Sequence, residues 1–365
     1  MELFVSANDA KLVRDAGRDV FPAGAGPDTL SLIDLDAEPP AVLATVDVRN
    51  SIVGPPQAVA LSPDGRWAAV AAPTSYDADA GALVFHDILQ VVRFGESEPV
   101  AEVIELGTHP HAVVFTPDGD RLLVATVSGE LIVFDVSESG VTQRQRLQVS
   151  SGRLAGVGVL PDGTAAIVAL RDEQGAATID LTGPEAVARP ERLATGVCPY
   201  VVDVDAAGRW ALIGSVGWIG KDPRKGECVA DVDLVTLVDL SSVPYRSVDH
   251  AAVPSVPEGV AISPDGRWVA ALCMAGSQIG RDRPGHSETG RLVLLANDNG
   301  RLRRVDELPT GAAAQGVAFS RDSRRIVAQL YADRCLAVYR IDQDTLSDTG
   351  IRIDVPGGPA SLRRG

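Results

Sequence analysis

Large polar side chains recur at one position of a repeated sequence pattern. Six alternating apolar segments each run into a Pro-Asp-Gly turn or a variant of it, opened by Ser, Thr, Leu or Asp. Five residues before the opening residue stand, in chain order, Gln57, His111, Ala155, Tyr200, Glu258 and Gln315, with Ala360 expected as the seventh member. Histidine exchanges protons near neutral pH, and a poorly solvated carboxylate can have its pKa raised into the same range. We therefore predict His111, Glu258 and Tyr200 as catalytic residues.

Further side chains are predicted to hold a small substrate beside these groups. Gln57 and Gln315 offer amides to substrate oxygens. Arg153 lies two residues before Ala155 and could reach into the space that alanine leaves, where its two parallel N–H donors match a carboxylate. The substrate-binding set is completed by three residues of long loops, His286, Arg283 and Trp218. The alternative is structural: the ring residues would bond buried loop backbone, and the loop residues would be solvated.

Several kinds of chemistry have no motif in this chain. A Gly-x-Ser-x-Gly nucleophile elbow and a phosphate-binding P-loop are both missing. His109 and His111 have a spacing that permits metal ligation, but the chain has only 5 histidines, and His86 and His250 are interpreted as structural, His86 in the place of Phe134 of the next repeat. We expect neither a metal nor a cofactor. The 4 cysteines lack CxxC spacing, and Cys198 and Cys228 are either a disulfide or buried thiols.

The repeat itself predicts the fold. Residues 58–67 read AVALSPDGRW and residues 259–268 read GVAISPDGRW, and successive turns lie 44 to 58 residues apart. Four strands at that period form one propeller blade. The seventh blade is split between the termini, with Met1–Ser6 and Asp28–Asp34 in one sheet with Gly358–Arg363. We predict an all-β, seven-bladed propeller of antiparallel four-stranded blades, a single domain over residues 1–365, closed by pairing of its terminal strands.

Loop lengths predict which face of the propeller is functional. The Pro-Asp-Gly turns are short, whereas four loops between second and third strands are long: residues 7–27, 73–81, 217–232 and 274–290. Loops on a rigid scaffold commonly carry recognition, so the site is expected at the loop-rich mouth of the channel. Tolerated loop insertion is the alternative, and a protein partner on this face is the competing function.

Charge and hydropathy limit the partners. The net charge of −16 argues against nucleic acid, whose phosphates require clustered lysine and arginine. No apolar run approaches the roughly 20 residues of a membrane span, and the chain starts without a signal-peptide pattern. We expect no membrane partner and a cytoplasmic location, or a periplasmic or secreted one after removal of a leader.

The repeats resemble those of the YVTN/YncE-like and lactonase-like seven-bladed propellers. The resemblance rests on Pro-His-Ala-Val-Val-Phe-Thr-Pro-Asp-Gly-type units and on the segments 26–34 and 232–239, and it covers nearly the whole chain. It implies lactone hydrolases, lactonising enzymes, and isomerase or lyase relatives. Two functions stay open. One is a cofactor-independent enzyme that acts on a small polar or carboxylate-bearing substrate, and the other is a non-catalytic binding propeller.

Overall fold

Alternating apolar residues form the strands of a propeller. In the computed structural model, which describes residues 1–15, 17–95, 99–222 and 227–365, seven four-stranded antiparallel sheets surround a channel. The side chains of residues 218–222 and 227–229 lie outside this description. The predicted seven-bladed, all-β fold is confirmed. Within the same ranges, no helix has the length and hydropathy that crossing a bilayer requires.

In each blade, four strands follow one another from the channel to the outer rim. Blade 1 contains Gly358–Arg364, Leu3–Asp9, Asp28–Asp34 and Ala41–Val48, and blade 2 contains Val59–Leu61, Trp67–Val70, Ile88–Arg93 and Ala101–Glu105. Blade 3 contains Pro110–Phe115, Arg121–Thr126, Glu130–Ser137 and Gly140–Gln148, and blade 4 contains Leu154–Val159, Ala165–Leu170, Ala176–Asp180 and Val187–Leu193. Blade 5 contains Pro199–Val204, Trp210–Ser215, Leu234–Asp239 and Arg246–Ala252. Blade 6 contains Pro257–Ile262, Trp268–Cys273, Arg291–Asn297 and Leu302–Pro309, and blade 7 contains Ala314–Phe319, Arg325–Leu330, Cys335–Asp342 and Thr345–Asp354.

Small hairpins decorate the loops between second and third strands. They pair Val13–Asp15 with Arg18–Val20 in blade 1, Thr74–Asp77 with Ala82–Phe85 in blade 2, and Trp218–Asp222 with Glu227–Ala230 in blade 5. The interpretation of His86 as the counterpart of Phe134 is wrong. The third strand of blade 2 starts only at Ile88, and Val92 takes the place of Phe134 opposite the second strand. The apolar run before His86 belongs to a hairpin, which sequence alternation alone does not distinguish from a blade strand.

The ring closes as predicted, through the C-terminal strand. Gly358–Arg364 pairs antiparallel with Leu3–Asp9, with Ser6 opposite Leu362. Blade 7 seals the junction, because Gln329 Nε2 donates to Ser6 Oγ and to the Ser361 carbonyl, both at 2.8 Å. Pairing the two termini in one sheet gives blade 1 its inner strand and covers the edge that Leu3–Asp9 would otherwise leave open.

The channel is bridged by a glutamine. Gln57 of blade 2 reaches across to blade 5, where its Nε2 donates to the Val202 carbonyl at 2.6 Å and its Oε1 accepts from the Val202 N–H at 2.9 Å. A Cβ at Gly156 of blade 4 would collide with Gln57 Oε1, which explains why the inner strand of blade 4 has a glycine at this position. Arg363 Nη1 lies 3.4 Å from Oδ1 of the half-buried Asp203, next to this bridge. The loop-rich mouth therefore has a floor.

We predict that Gln57→Met lowers the free energy of unfolding by about 1–3 kcal/mol, because the Val202 N–H loses its partner and the Val202 carbonyl keeps only the 3.3 Å contact with Arg363 Nη2. Urea denaturation measures the change. Gln143→Met, at an exposed position of an outer strand, is the matched control and should leave the midpoint unchanged. Equal midpoints for the two variants would show that the bridge contributes nothing to stability.

Candidate functional site

Six of the seven predicted ring residues occupy β-bulges in the inner strands, and the seventh, Gln57, precedes the inner strand of blade 2. Opposite the second strand, the register skips a single residue in blades 3, 5 and 6, and these residues are His111, Tyr200 and Glu258. The register skips Ala360 in blade 1, Ala155 and Gly156 in blade 4, and Gln315 and Gly316 in blade 7. A bulged residue is unpaired and its side chain is re-aimed. Proline precedes His111, Tyr200 and Glu258, and its missing N–H is tolerated at such a position.

The re-aimed side chains meet in one cavity at the loop-rich mouth. This mouth cavity has a volume of about 520 Å³. Its polar lining consists of Arg14, His109, His111, Arg153, Arg171, Tyr200 and Glu258. Four of the predicted site residues, His111, Arg153, Tyr200 and Glu258, are thus brought together from four different blades.

Glu258 is the carboxylate of the mouth cavity, and no residue in the described part of the chain forms a salt bridge with it. Its side chain is half-buried, and its Oε2 is enclosed with no hydrogen-bond partner among the described residues. Burial raises the pKa of Glu258 to about 7, against the opposing effect of the positive charges on Arg14 and Arg171. The backbone before it is strained, because Val256, a β-branched residue, has a φ of 58°. A carboxylate with this pKa exchanges a proton readily at neutral pH.

The two histidines of the cavity are arranged as hydrogen-bond acceptors. His111 Nδ1 lies 2.8 Å from the Leu154 carbonyl, and His109 Nδ1 lies 2.8 Å from the His86 carbonyl. Since a carbonyl only accepts, each Nδ1 carries the proton and each Nε2 keeps its lone pair. Burial lowers the pKa of both rings, that of His111 to about 3, so His111 is neutral at pH 7. His109 Nε2 is buried and has no partner in the described part of the chain.

Arg171 is the arginine of the mouth cavity for which the described residues provide no salt bridge. Its guanidinium carbon lies 4.8 Å from the ring centre of Tyr200, and its Nε has no hydrogen-bond partner in the described ranges. Burial lowers the pKa of Arg171, but Tyr200, Cys198, Glu258 and Asp172 together raise it above the ordinary value. The side chain is therefore a permanent, partly unsatisfied cation.

The other two arginines of the cavity are already paired. Arg153 forms a bidentate contact with Asp172, with Nε 2.9 Å from Oδ2 and Nη2 2.7 Å from Oδ1. Arg14 Nε donates to Asp19 Oδ1 at 2.8 Å. Both raise the local positive potential while their geometry is fixed by a carboxylate.

Sequence reasoning missed Arg14 and Arg171. The signal for Arg171 lies in its place directly after the second strand of blade 4, because Val127 and Met274 hold the same place in blades 3 and 6 and also line the cavity. A charged residue at a position that is apolar in other blades marks a candidate ligand contact. Arg14 has no comparable signal, since its position depends on how a loop hairpin folds back.

The remaining predicted residues lie away from the mouth cavity. Gln57 bridges the channel, and Gln315 is fully buried, with Nε2 3.2 Å from the Ala314 carbonyl. His286 is tied to its own loop, with Nδ1 2.6 Å from the Ile279 carbonyl. Arg283 is exposed on that loop. Their substrate-binding roles stay predictions, and the Trp218 side chain and Cys228 lie outside the described residues.

Metal ligation has limited support in the geometry. Within the described residues, no three His, Cys, Asp or Glu side chains are grouped closely enough to hold a metal ion. The Nε2 lone pairs of His109 and His111 lie on rings 5.9 Å apart, nearly perpendicular to each other.

Comparisons with known proteins agree on the fold. No family model and no curated protein matches the chain. Among solved structures, a proposed 6-phosphogluconolactonase from Bacteroides uniformis is 15% identical, with a TM-score of 0.70 over 100% of this chain and 99% of the other. The periplasmic gluconolactonase PpgL of Pseudomonas aeruginosa is 18% identical, with a TM-score of 0.68 over 100% and 98%.

The same fold also occurs outside lactonases. A chain of the mitotic checkpoint complex is 14% identical, with a TM-score of 0.61 over 85% of this chain and 82% of the other. The chain therefore shares the seven-bladed fold of lactonase-like propellers, and at these identities its chemistry has to be argued from the mouth cavity.

Proposed function

We propose that this propeller is a cofactor-independent enzyme that hydrolyses a lactone of a small, carboxylate-bearing molecule in the mouth cavity. One observation carries the proposal. Three residues that line this one cavity, His109, Arg171 and Glu258, each have an enclosed polar atom, Nε2, Nε and Oε2 respectively, with no partner among the described residues. Buried polar groups are almost always hydrogen-bonded, so a cluster of unsatisfied ones implies a ligand that supplies the missing partners.

The reaction assigns the proton transfers to Glu258. Its carboxylate takes a proton from water as the water oxygen bonds to the lactone carbonyl carbon. The ring C–O bond then breaks, and the leaving oxygen takes the same proton back from Glu258, which gives the open-chain hydroxy acid. A pKa of about 7 suits both directions, because the group is a competent base and a competent acid at the same pH.

The other polar groups bind and polarise the substrate. Arg171 stabilises the negative charge that develops on the carbonyl oxygen, and its fixed position beside Tyr200 means that it needs no reorganisation. His109 and His111 accept hydrogen bonds from the attacking water or from a substrate hydroxyl through Nε2. The three arginines of the lining, two of them paired with aspartates, favour an anionic substrate in a protein whose net charge is −16.

A lactone panel tests the proposal. We expect saturable hydrolysis of γ- or δ-lactones that carry a carboxylate, followed by acid release at constant pH, and unchanged rates after treatment with a chelator. Binding of the lactone or its hydroxy acid without turnover would replace the enzyme by a ligand-binding propeller.

Replacing Arg171 by methionine should lower kcat/KM by about 10²–10³, because the charge that faces the developing oxyanion is lost. Methionine keeps most of the volume, so the melting temperature is expected to change little. The matched control is Arg267→Met, since Arg267 also lies over an aromatic ring, 4.6 Å from the ring centre of Trp268, but outside the cavity. Equal activities of the two variants would remove Arg171 from the site.

A further inference from the structure

The lining of the mouth cavity is partly apolar. Its large apolar members are Ile52, Val53, Phe85, Val127 and Met274, which we call the apolar wall. These residues come from a loop, a hairpin and the ends of second strands in blades 3 and 6. An apolar surface beside a few convergent polar groups is the usual composition of a small-molecule site.

Two members of the apolar wall are exposed, although folded domains usually bury residues of this kind. Phe85 is 49% exposed and Val53 is 38% exposed, and both border the same concave space. Single exposed apolar residues are common on protein surfaces, but apolar residues grouped around a cavity mark a binding surface. Water against this wall is released when an apolar group of a ligand covers it, which favours such a ligand.

The wall is also held in place by the protein. The hairpin that carries Phe85 is fastened at its base, where Ser75 Oγ lies 2.8 Å from His86 Nε2. Tyr76 of the same hairpin stacks on Phe21 of blade 1, with ring centres 3.9 Å apart and planes within 3°. The Phe85 and His109 rings are in edge-to-face contact, with ring centres 5.2 Å apart, so the apolar wall directly adjoins the polar lining. A preformed surface selects a complementary ligand at little ordering cost.

We infer that the substrate is amphipathic: it carries an anionic group that contacts the arginines of the lining and an alkyl or aryl substituent that packs against the apolar wall. The inference rests on the proposed function for the lactone and adds the nature of its substituent. Polyhydroxylated sugar lactones are excluded by the same chemistry, because hydroxyls placed on the wall would lose water without gaining a partner. The solved lactonase propellers share the fold at identities too low to carry their substrates over.

Two matched lactones test the inference by rate. Both are γ-lactones with a ring carboxylate, and the carbon that bears the ring oxygen carries either n-butyl or hydroxymethyl. We expect kcat/KM for the butyl compound to exceed that for the hydroxymethyl compound by about tenfold or more. Equal rates, or a preference for hydroxymethyl, would overturn the inference while leaving lactone hydrolysis intact.

Two matched acids test it by binding, independently of catalysis. Butylsuccinate and methoxymethylsuccinate have neither a lactone nor a hydroxyl that could form one, so they cannot turn over, and calorimetry measures their affinities directly. If neither lactone is hydrolysed but butylsuccinate binds at least tenfold more tightly, the proposed hydrolysis fails and the amphipathic ligand stands. If neither acid binds and neither lactone turns over, both ideas are wrong.

Isosteric substitutions of valine test whether the preference for the butyl compound arises from the apolar wall. In the double variant Val53→Thr and Val127→Thr, each side chain keeps its shape and gains a hydroxyl, so the butyl-to-hydroxymethyl ratio should fall by about tenfold. Val187→Thr is the control, since Val187 is 58% exposed on the outer strand of blade 4 and should leave the ratio unchanged. A ratio that survives in the double variant would show that the preference arises elsewhere.

Discussion

Glu258→Gln is expected to lower kcat on a true substrate by about 10²–10⁴, the usual contribution of a general base. The amide keeps the size and hydrogen-bonding shape of the side chain but cannot take a proton from water. The carboxyl group carries both proton transfers of the proposed reaction, and the neutral His111, with a pKa of about 3, cannot replace it at pH 7. Steady-state rates of purified wild-type and variant protein measure the loss.

The pH dependence of the wild-type rate belongs to the same prediction. Because the base form of Glu258 is required, kcat/KM should rise with pH and level off above about 7, the pKa to which burial raises this group. His111 titrates far below this range and adds no second limb near neutrality. A profile that is flat between pH 5 and 9 would exclude Glu258 as the base.

The same substitution should stabilise the fold at neutral and alkaline pH. The pKa of Glu258 is raised from 4.5 to about 7 on folding, so between these values the unfolded chain is ionised while the folded chain keeps its proton. The contribution of Glu258 to stability is therefore fully present below pH 4.5 and is lost as the pH rises to about 7. Glutamine removes this loss, worth up to about 3 kcal/mol above pH 7.

Thermal unfolding at two pH values separates this effect from a general change in stability. We expect Glu258→Gln to melt higher than wild type at pH 8 and at the same temperature at pH 4. Glu102→Gln, an isosteric change at an exposed position of the outer strand of blade 2, is the control and should alter neither activity nor melting. A loss of activity together with a lower melting temperature at pH 8 would indicate damaged packing rather than a missing base.

Deleting residues 358–365 is expected to abolish cooperative folding under conditions in which the full chain is stable. The deletion removes the inner strand of blade 1, leaves Leu3–Asp9 with an unpaired edge, and takes away Ser361, the acceptor for Gln329. Ala360 and Leu362 are buried in two different parts of the core, so the loss reaches blade 7 as well. Circular dichroism and urea titration measure the result.

A point variant and a rescue experiment keep this prediction sharp. Leu362→Ala should cost about 2–5 kcal/mol of unfolding free energy, as for other buried leucines, whereas Leu43→Ala, at a half-exposed site on the outer strand of blade 1, should cost little. Adding the 358–365 peptide to the truncated chain should restore part of the cooperative transition by supplying the missing strand. Full stability of the truncated protein would contradict closure through the termini.

The residue types in the repeats predicted the fold and the positions of several side chains of the site, but not the chemistry of those side chains. Alternating apolar residues and Pro-Asp-Gly turns act over a few neighbours, which is why seven blades and the split blade 1 followed from the sequence. The position five residues before the turn holds a bulged residue in blades 3, 5 and 6, because the turn and the bulge are fixed within one strand, while the roles assigned to these residues stay predictions. The hairpin before His86 was misassigned because the same local pattern suits a blade strand and a loop hairpin.

What each of these side chains does was decided only when the blades assembled. Gln57 and Glu258 occupy equivalent positions, yet Gln57 bonds Val202 across the channel, while Glu258 faces a cavity beside Arg14 and Arg171. The sequence determined the scaffold and the places from which side chains enter the channel, because these depend on neighbours in the chain. The tertiary structure determined burial, pKa and pairing, because these depend on groups from other blades and from a folded-back hairpin that no single repeat contains.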